Sequence, residues 1–139
     1  MINLYIFSNK SRGGLYGVGT YIRELITALR SKSNSIHIHV VHILCDQLQI
    51  EKKEVKDVSY WYFPEPISKE WNLLDQEQRK VYSRNIVYLL RNYIQDQKNL
   101  VFHLNSYRDK SLALELKIAF DCKVITVTHF SEVQLFMIT

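Results

Sequence analysis

Met1-Ile2-Asn3-Leu4-Tyr5-Ile6-Phe7 is followed by a polar, glycine-bearing stretch from Ser8 to Gly19, and then by Thr20-Tyr21-Ile22-Arg23-Glu24-Leu25-Ile26-Thr27-Ala28-Leu29. The first piece is a nearly unbroken apolar run rich in β-favouring Ile, Tyr and Phe. That pattern predicts a strand buried on both faces. The second piece reads as a loop. In the third the period changes: Tyr21, Ile22, Leu25, Ile26 and Leu29 recur at helical spacing, with Arg23, Glu24 and Arg30 on the other side. Thr20 is placed to cap that helix. Strand, glycine loop and amphipathic helix together open an α/β unit.

The same alternation continues outward. Ser31 to Ser35 is a polar break, and Ile36 to Leu44 predicts a second strand. Asp46 to Asp57 is charged and irregular and reads as a surface loop. Val58 to Phe63 predicts a third strand, stopped by Pro64-Glu65-Pro66. Ser68 to Gln97 reads as helical, with a break near Asp75. Val81, Tyr82, Ile86, Leu89, Leu90, Tyr93 and Ile94 carry its apolar face. Leu100 to Leu104 predicts a fourth strand. A helix capped by Asp109 or Ser111 runs through Leu112, Leu116, Ala119 and Phe120, and Lys123 to His129 predicts a fifth strand. Strands alternating with helices argue for a parallel sheet covered on both faces. Right-handed crossovers then favour a doubly wound, Rossmann-like sheet of about five strands in the order 3-2-1-4-5. Ligands of such sheets bind at the carboxyl ends of the strands, where the order switches between strands 1 and 4.

A chain of 139 residues is one domain's worth, and 47% hydrophobic against 23% charged residues excludes disorder. No apolar run reaches the ~18 residues of a membrane span. The N-terminus reads as a strand rather than an export signal. Cys45 and Cys122 fit neither a disulfide framework nor a zinc ribbon, so a cytoplasmic setting is expected. The four glycines, Gly13, Gly14, Gly17 and Gly19, all fall within seven residues. Residues 1–35 carry five basic side chains against one acidic, while the remaining chain is balanced, so the whole net charge of +4 surrounds the glycine segment.

Glycines between a strand and a helix let the backbone approach a ligand, and the helix start behind them suits a phosphate. The segment is not a P-loop, since no GK[ST] follows. It is not the dinucleotide fingerprint either, since Ile22 stands where the third glycine belongs. The plainer alternative is a connection that only lets the helix pack closely. His37, His39 and His42 lie in the second strand, the first two on one face and the third on the other, and read as strand positions rather than metal ligands. His103 and His129 stand at the predicted ends of strands 4 and 5, on the ligand-binding edge. No nucleophile motif is present. A charge of +4 without a recognition motif does not point to nucleic acid.

The strand, the Gly13-Gly14-x-x-Gly17-x-Gly19 loop and the helix resemble the opening of GT-B glycosyltransferases of the glycogen-synthase-like, family-4-like group. Val101-Phe102-His103-Leu104-Asn105 is similar to that family's strand ending in H-x-H, with Asn105 in place of the second histidine. Val124-Ile125-Thr126-Val127-Thr128-His129 is similar to its strand ending in a T-x-H-like segment. The resemblance implies a retaining, metal-independent transfer of a hexose-like unit from a nucleotide-sugar to an acceptor hydroxyl. The nucleotide-sugar is a substrate, and no cofactor is implied. Gly13, Gly14, Gly17 and Gly19 would approach the diphosphate, His129 would contact sugar hydroxyls, and His103 and Asn105 would line the cleft. No catalytic base is assigned.

These enzymes close the cleft with a second, donor-binding domain carrying E-x7-E, and only ten residues follow His129. Residues 1–139 are therefore expected to form the incomplete N-terminal, acceptor-side half. Half a cleft cannot exclude water or align donor with acceptor, so it should be inactive alone. The expected partners are a nucleotide-sugar and a sugar or glycolipid acceptor. Self-association through strand 5 and residues 131–139, and peripheral contact with the inner face of the membrane, are further expectations. Two other readings stay open: a stand-alone phosphate- or nucleotide-binding module, and a polyanion binder using the N-terminal positive charge.

Overall fold

The computed structural model of the protein describes residues 1–9, 17–32, 34–45, 49–64, 75–105 and 110–127. Its elements are β1 (Ile2–Asn9), α1 (Gly17–Lys32), β2 (Ile36–Cys45), β3 (Glu51–Val55), β4 (Val58–Pro64), α2 (Gln76–Tyr93), β5 (Leu100–Leu104), α3 (Lys110–Phe120) and β6 (Lys123–Thr126). They form one sheet in the order β3-β4-β2-β1-β5-β6. Every pairing is parallel except β3 against β4. With β3 set aside, this is the expected doubly wound order, and β1 lies in its interior between β2 and β5.

The period-2 alternation of β1 divides the core in two. Leu4 and Ile6 face α1 together with Ile38, Val40 and Val58, where Ile22 and Ile26 pack on them. Tyr5 and Phe7 face the other way with Val41, Ile43, Trp61, Phe63 and Phe102, beneath Ile86 and Leu90 of α2 and Leu112 and Leu116 of α3. Helices on both faces are why the strands read as continuous apolar runs rather than alternating ones. No helix among the described residues is long and apolar enough to cross a membrane.

Several boundaries differ from the sequence expectation. The stretch read as a surface loop contains β3, an antiparallel edge strand whose five residues are all exposed. An edge strand of this kind needs only a backbone ladder with one neighbour, so Glu51-Lys52-Lys53-Glu54 shows no apolar pattern, and its charges discourage further pairing. Helix α1 starts at Gly17, so Thr20 lies inside its first turn rather than capping it. Helix α2 starts where the break was expected. Asp75 Oδ1 accepts from the Gln78 amide at 2.8 Å, while Gln78 Oε1 accepts from the Asp75 amide at 3.1 Å, a reciprocal capping box. Residues 68–74 lie outside the described residues. Strand β6 ends at Thr126, and the Val127 amide donates to the Leu104 carbonyl at 2.9 Å.

The two-residue turn between β3 and β4 places Lys56 at φ 49° and Asp57 at φ 68°. Both are left-handed, which matches the right-handed twist of a hairpin but suits Asn-Gly far better than Lys-Asp. Replacing Lys56→Asn together with Asp57→Gly should stabilise the protein by about 1 kcal/mol. A thermal melt showing an unchanged or lower midpoint would contradict this account of the turn.

Candidate functional site

At the carboxyl end of the sheet, β1 and β5 lie side by side while their connections leave on opposite faces, α1 on one and α2 and α3 on the other. This divergence opens the crevice in which open α/β sheets hold ligands. His103 and Asn105 are both there. His103 lies opposite Ile6 in the ladder, 7% exposed, and its Nε2 is 3.4 Å from the Tyr21 hydroxyl of α1. The two rings are 6.1 Å apart and nearly parallel. Tyr21 thus joins α1 to the histidine of β5 across 82 residues of sequence. Its apolar spacing identified it only as a core residue. A phenol in place of an aliphatic side chain was the available signal.

Asn105, 4% exposed, donates from Nδ2 to the Phe7 carbonyl at 2.9 Å. It ties the end of β5 to the end of β1, the point from which the chain enters the glycine segment. The amide proton used in this bond is committed to the scaffold. Asn105→Ala should leave the Phe7 carbonyl without that donor and cost about 1–3 kcal/mol, read as a lower urea midpoint at constant slope. A loss well under 1 kcal/mol would mean that another group already satisfies the carbonyl.

Gly17 and Gly19 fall in the first turn of α1, with Gly19 buried. No acidic residue occupies that turn. Its amides therefore form the positive end of the helix dipole, with no carboxylate in the same turn. Gly13, Gly14 and His129 lie outside the described residues. The structure therefore brings together His103, Asn105, Gly17 and Gly19 at one edge of the sheet, with Tyr21 added to them.

A second polar cluster lies on the α2 face, across β2, β4 and β3. His37 Nε2 is 3.2 Å from Ser59 Oγ, and Ser59 donates to Glu54 Oε1 at 2.7 Å. With the Ser59 proton directed at the carboxylate, the imidazole is the donor to Ser59. The Ser59 hydrogen bond lowers the Glu54 pKa, with help from Lys52. One step along β2, His39 stacks on Tyr5 at 4.0 Å and accepts at Nδ1 from Trp61 Nε1 at 3.3 Å. Burial, aided by the nearby His37 and Lys52, pushes the His39 pKa down to about 3, while burial pushes the Tyr5 phenol up to about 12. Both groups are neutral at physiological pH. His37 and His39 share a face with rings 4.1 Å apart, and His42 stacks on Tyr62 on the other face. Trp61 and Phe63 enter the core beneath α2, whereas Tyr60 packs toward α1.

Neither a protein-family model nor a curated protein matches the chain. Among solved structures it is similar to the OtsA apo structure, at 11% identity and a TM-score of 0.61, over 93% of this chain and 33% of that one. It is similar to a second structure, described as trehalose-6-phosphate from E. coli bound with UDP-2-fluoro glucose, at 11% identity and a TM-score of 0.61. That match covers 89% of this chain and 32% of the other. The chain spans about a third of the length of the structures it matches. At this identity the likeness is one of fold, a Rossmann-like α/β domain.

Proposed function

We propose that the chain forms the acceptor-side half of a glycosyltransferase cleft, in which a sugar passes from a nucleotide-sugar to an acceptor hydroxyl. The observation that carries this reading is the convergence of His103, Asn105 and the first turn of α1 at the switch point of the sheet. It is supported by a shared fold with a protein whose structure was solved with UDP-2-fluoro glucose. In this reading the glycine segment, Gly13 to Gly19, approaches the diphosphate of the donor. His103 lines the cleft, held by Tyr21, and His129 meets hydroxyls of the transferred sugar. Asn105 keeps the two strand ends in register. The nucleotide-sugar is a substrate, and the donor-binding half lies in a second domain. A sugar or a glycolipid is the acceptor.

The test is a titration of the isotopically labelled 139-residue chain with UDP-glucose, followed by amide NMR, beside a transfer assay. Shifts should concentrate on residues 13–20 and 103–105, with weak binding of about millimolar strength or worse, because a one-sided site cannot desolvate the ligand. No transfer is expected from this chain alone. Micromolar binding of a free nucleotide would favour a stand-alone nucleotide module. Turnover by the chain would show that one half suffices.

A further inference from the structure

The outer surface of the helical layer formed by α2 and α3 takes no part in the cleft. Each helix buries one side against the sheet, through Tyr82, Ile86 and Leu90 on α2 and Leu112 and Leu116 on α3. The opposite side should be polar in an ordinary surface helix. Instead Val81 is 54% exposed, Tyr88 69%, Leu114 54% and Ile118 78%. Single exposed apolar residues are common, but four on two adjoining helices form a patch. Val81, Arg84, Tyr88 and Arg91 recur every three or four residues along α2, so cations and apolar groups share one side. A shallow depression between the helices is lined by Arg84, Tyr88, Arg91 and Ile118 together with Val87, Glu115 and Ala119.

The charge selects the occupant. The two helices carry six basic side chains against Glu77 and Glu115. Arg84 meets Glu115 at 3.3 Å, whereas Lys80, Arg91, Lys110 and Lys117 have no carboxylate partner among the described residues. A second copy meeting this face across a two-fold axis would set these cations against their own equivalents. A nucleic acid would meet the cations but leave the aliphatic side chains unused. We propose that the α2–α3 face docks on an anionic lipid bilayer. Tyr88, Ile118, Leu114 and Val81 enter the boundary between headgroups and acyl chains, and the lysines and arginines meet lipid phosphates. This inference does not depend on the glycosyltransferase reading.

Co-sedimentation with vesicles tests it directly. The chain should bind vesicles of equal parts phosphatidylglycerol and phosphatidylcholine about tenfold or more tightly than vesicles of phosphatidylcholine alone, and added salt should erode the difference. Tyr88→Ser with Ile118→Ser should weaken binding at every salt concentration. Arg91→Gln with Lys117→Gln should abolish the preference for anionic lipid. All four positions are exposed, so circular dichroism should show both variants folded. Arg30→Gln with Lys32→Gln, which lowers the net charge equally on the far side of the sheet, should leave binding unchanged. Binding that is absent, indifferent to lipid charge, or equally reduced by the Arg30 and Lys32 variant overturns the proposal. So does a concentration-dependent dimer that Tyr88→Ser with Ile118→Ser dissociates, since the occupant would then be a second copy.

Discussion

Phe102→Ala should destabilise the protein by about 3–5 kcal/mol, a large share of the ~5–15 kcal/mol that holds a domain of this size folded. Phe102 is fully buried on β5. Its ring lies 5.6 Å from Tyr5, 5.9 Å from Phe7 and 5.2 Å from Phe120. It therefore joins the strand pair beneath the crevice to α3. Truncation removes the ring's burial and leaves a cavity that three aromatic neighbours in tilted contact cannot easily close. Phe102→Leu, which keeps most of the volume, should cost about 1–1.5 kcal/mol. Urea denaturation of both variants distinguishes the outcomes. Equal losses would mean that the site repacks around either side chain.

Acid should weaken the fold well before the carboxylates titrate. His39 is neutral in the folded protein, with its pKa down at about 3, whereas in the unfolded chain it returns to the ordinary 6.5. Between these values the unfolded state binds one more proton than the folded state, so stability rises with pH across that window. The contribution is fully present above 6.5 and is lost progressively as pH falls toward 3. From pH 6.5 to 4.5 the loss should be about 2 kcal/mol. Glu54 acts lower, because its stabilising ionisation is lost only as the carboxylate protonates. His39→Gln, whose amide oxygen can still accept from Trp61, should be less stable at neutral pH yet show a flatter profile from 6.5 to 4.5. If its pH profile parallels that of the unmodified protein, the acid sensitivity arises elsewhere.

The contrast between β1 and β3 explains what was legible in the sequence. Strand β1 is covered by helices on both faces, so nearly every residue had to be apolar and its span could be read directly. Strand β3 buries nothing, and its turn uses Lys56 and Asp57 where a glycine would have announced a hairpin. Both features that mark a strand were missing. The site divides the same way. His103 and Asn105 could be located because position at a strand end is a local property. Tyr21 could not, because its reach to His103 depends on how α1 lies across β5, and helix periodicity does not encode that crossing. The neutral state of His39 was equally hidden. It follows from Tyr5 on one neighbouring strand and Trp61 on the other, and the strand order had to be known first.

The two borders of the sheet are unlike. At one, β3 presents Glu51, Lys52, Lys53 and Glu54, with Lys52 over the Trp61 ring and Lys53 over Tyr62. At the other, β6 has four residues, one charge and Ile125 41% exposed. Among the described residues, then, the two borders differ in what they permit: β6 offers little opposition to a further strand, whereas β3 opposes one. Two molecules that met through β6 in antiparallel fashion would make a twelve-stranded sheet ending in β3 on both sides. Both borders of such a pair would be the charged β3 edge. An association of this kind would end at the dimer, with the charged hairpin, distant from the contact, opposing its growth into a fibre.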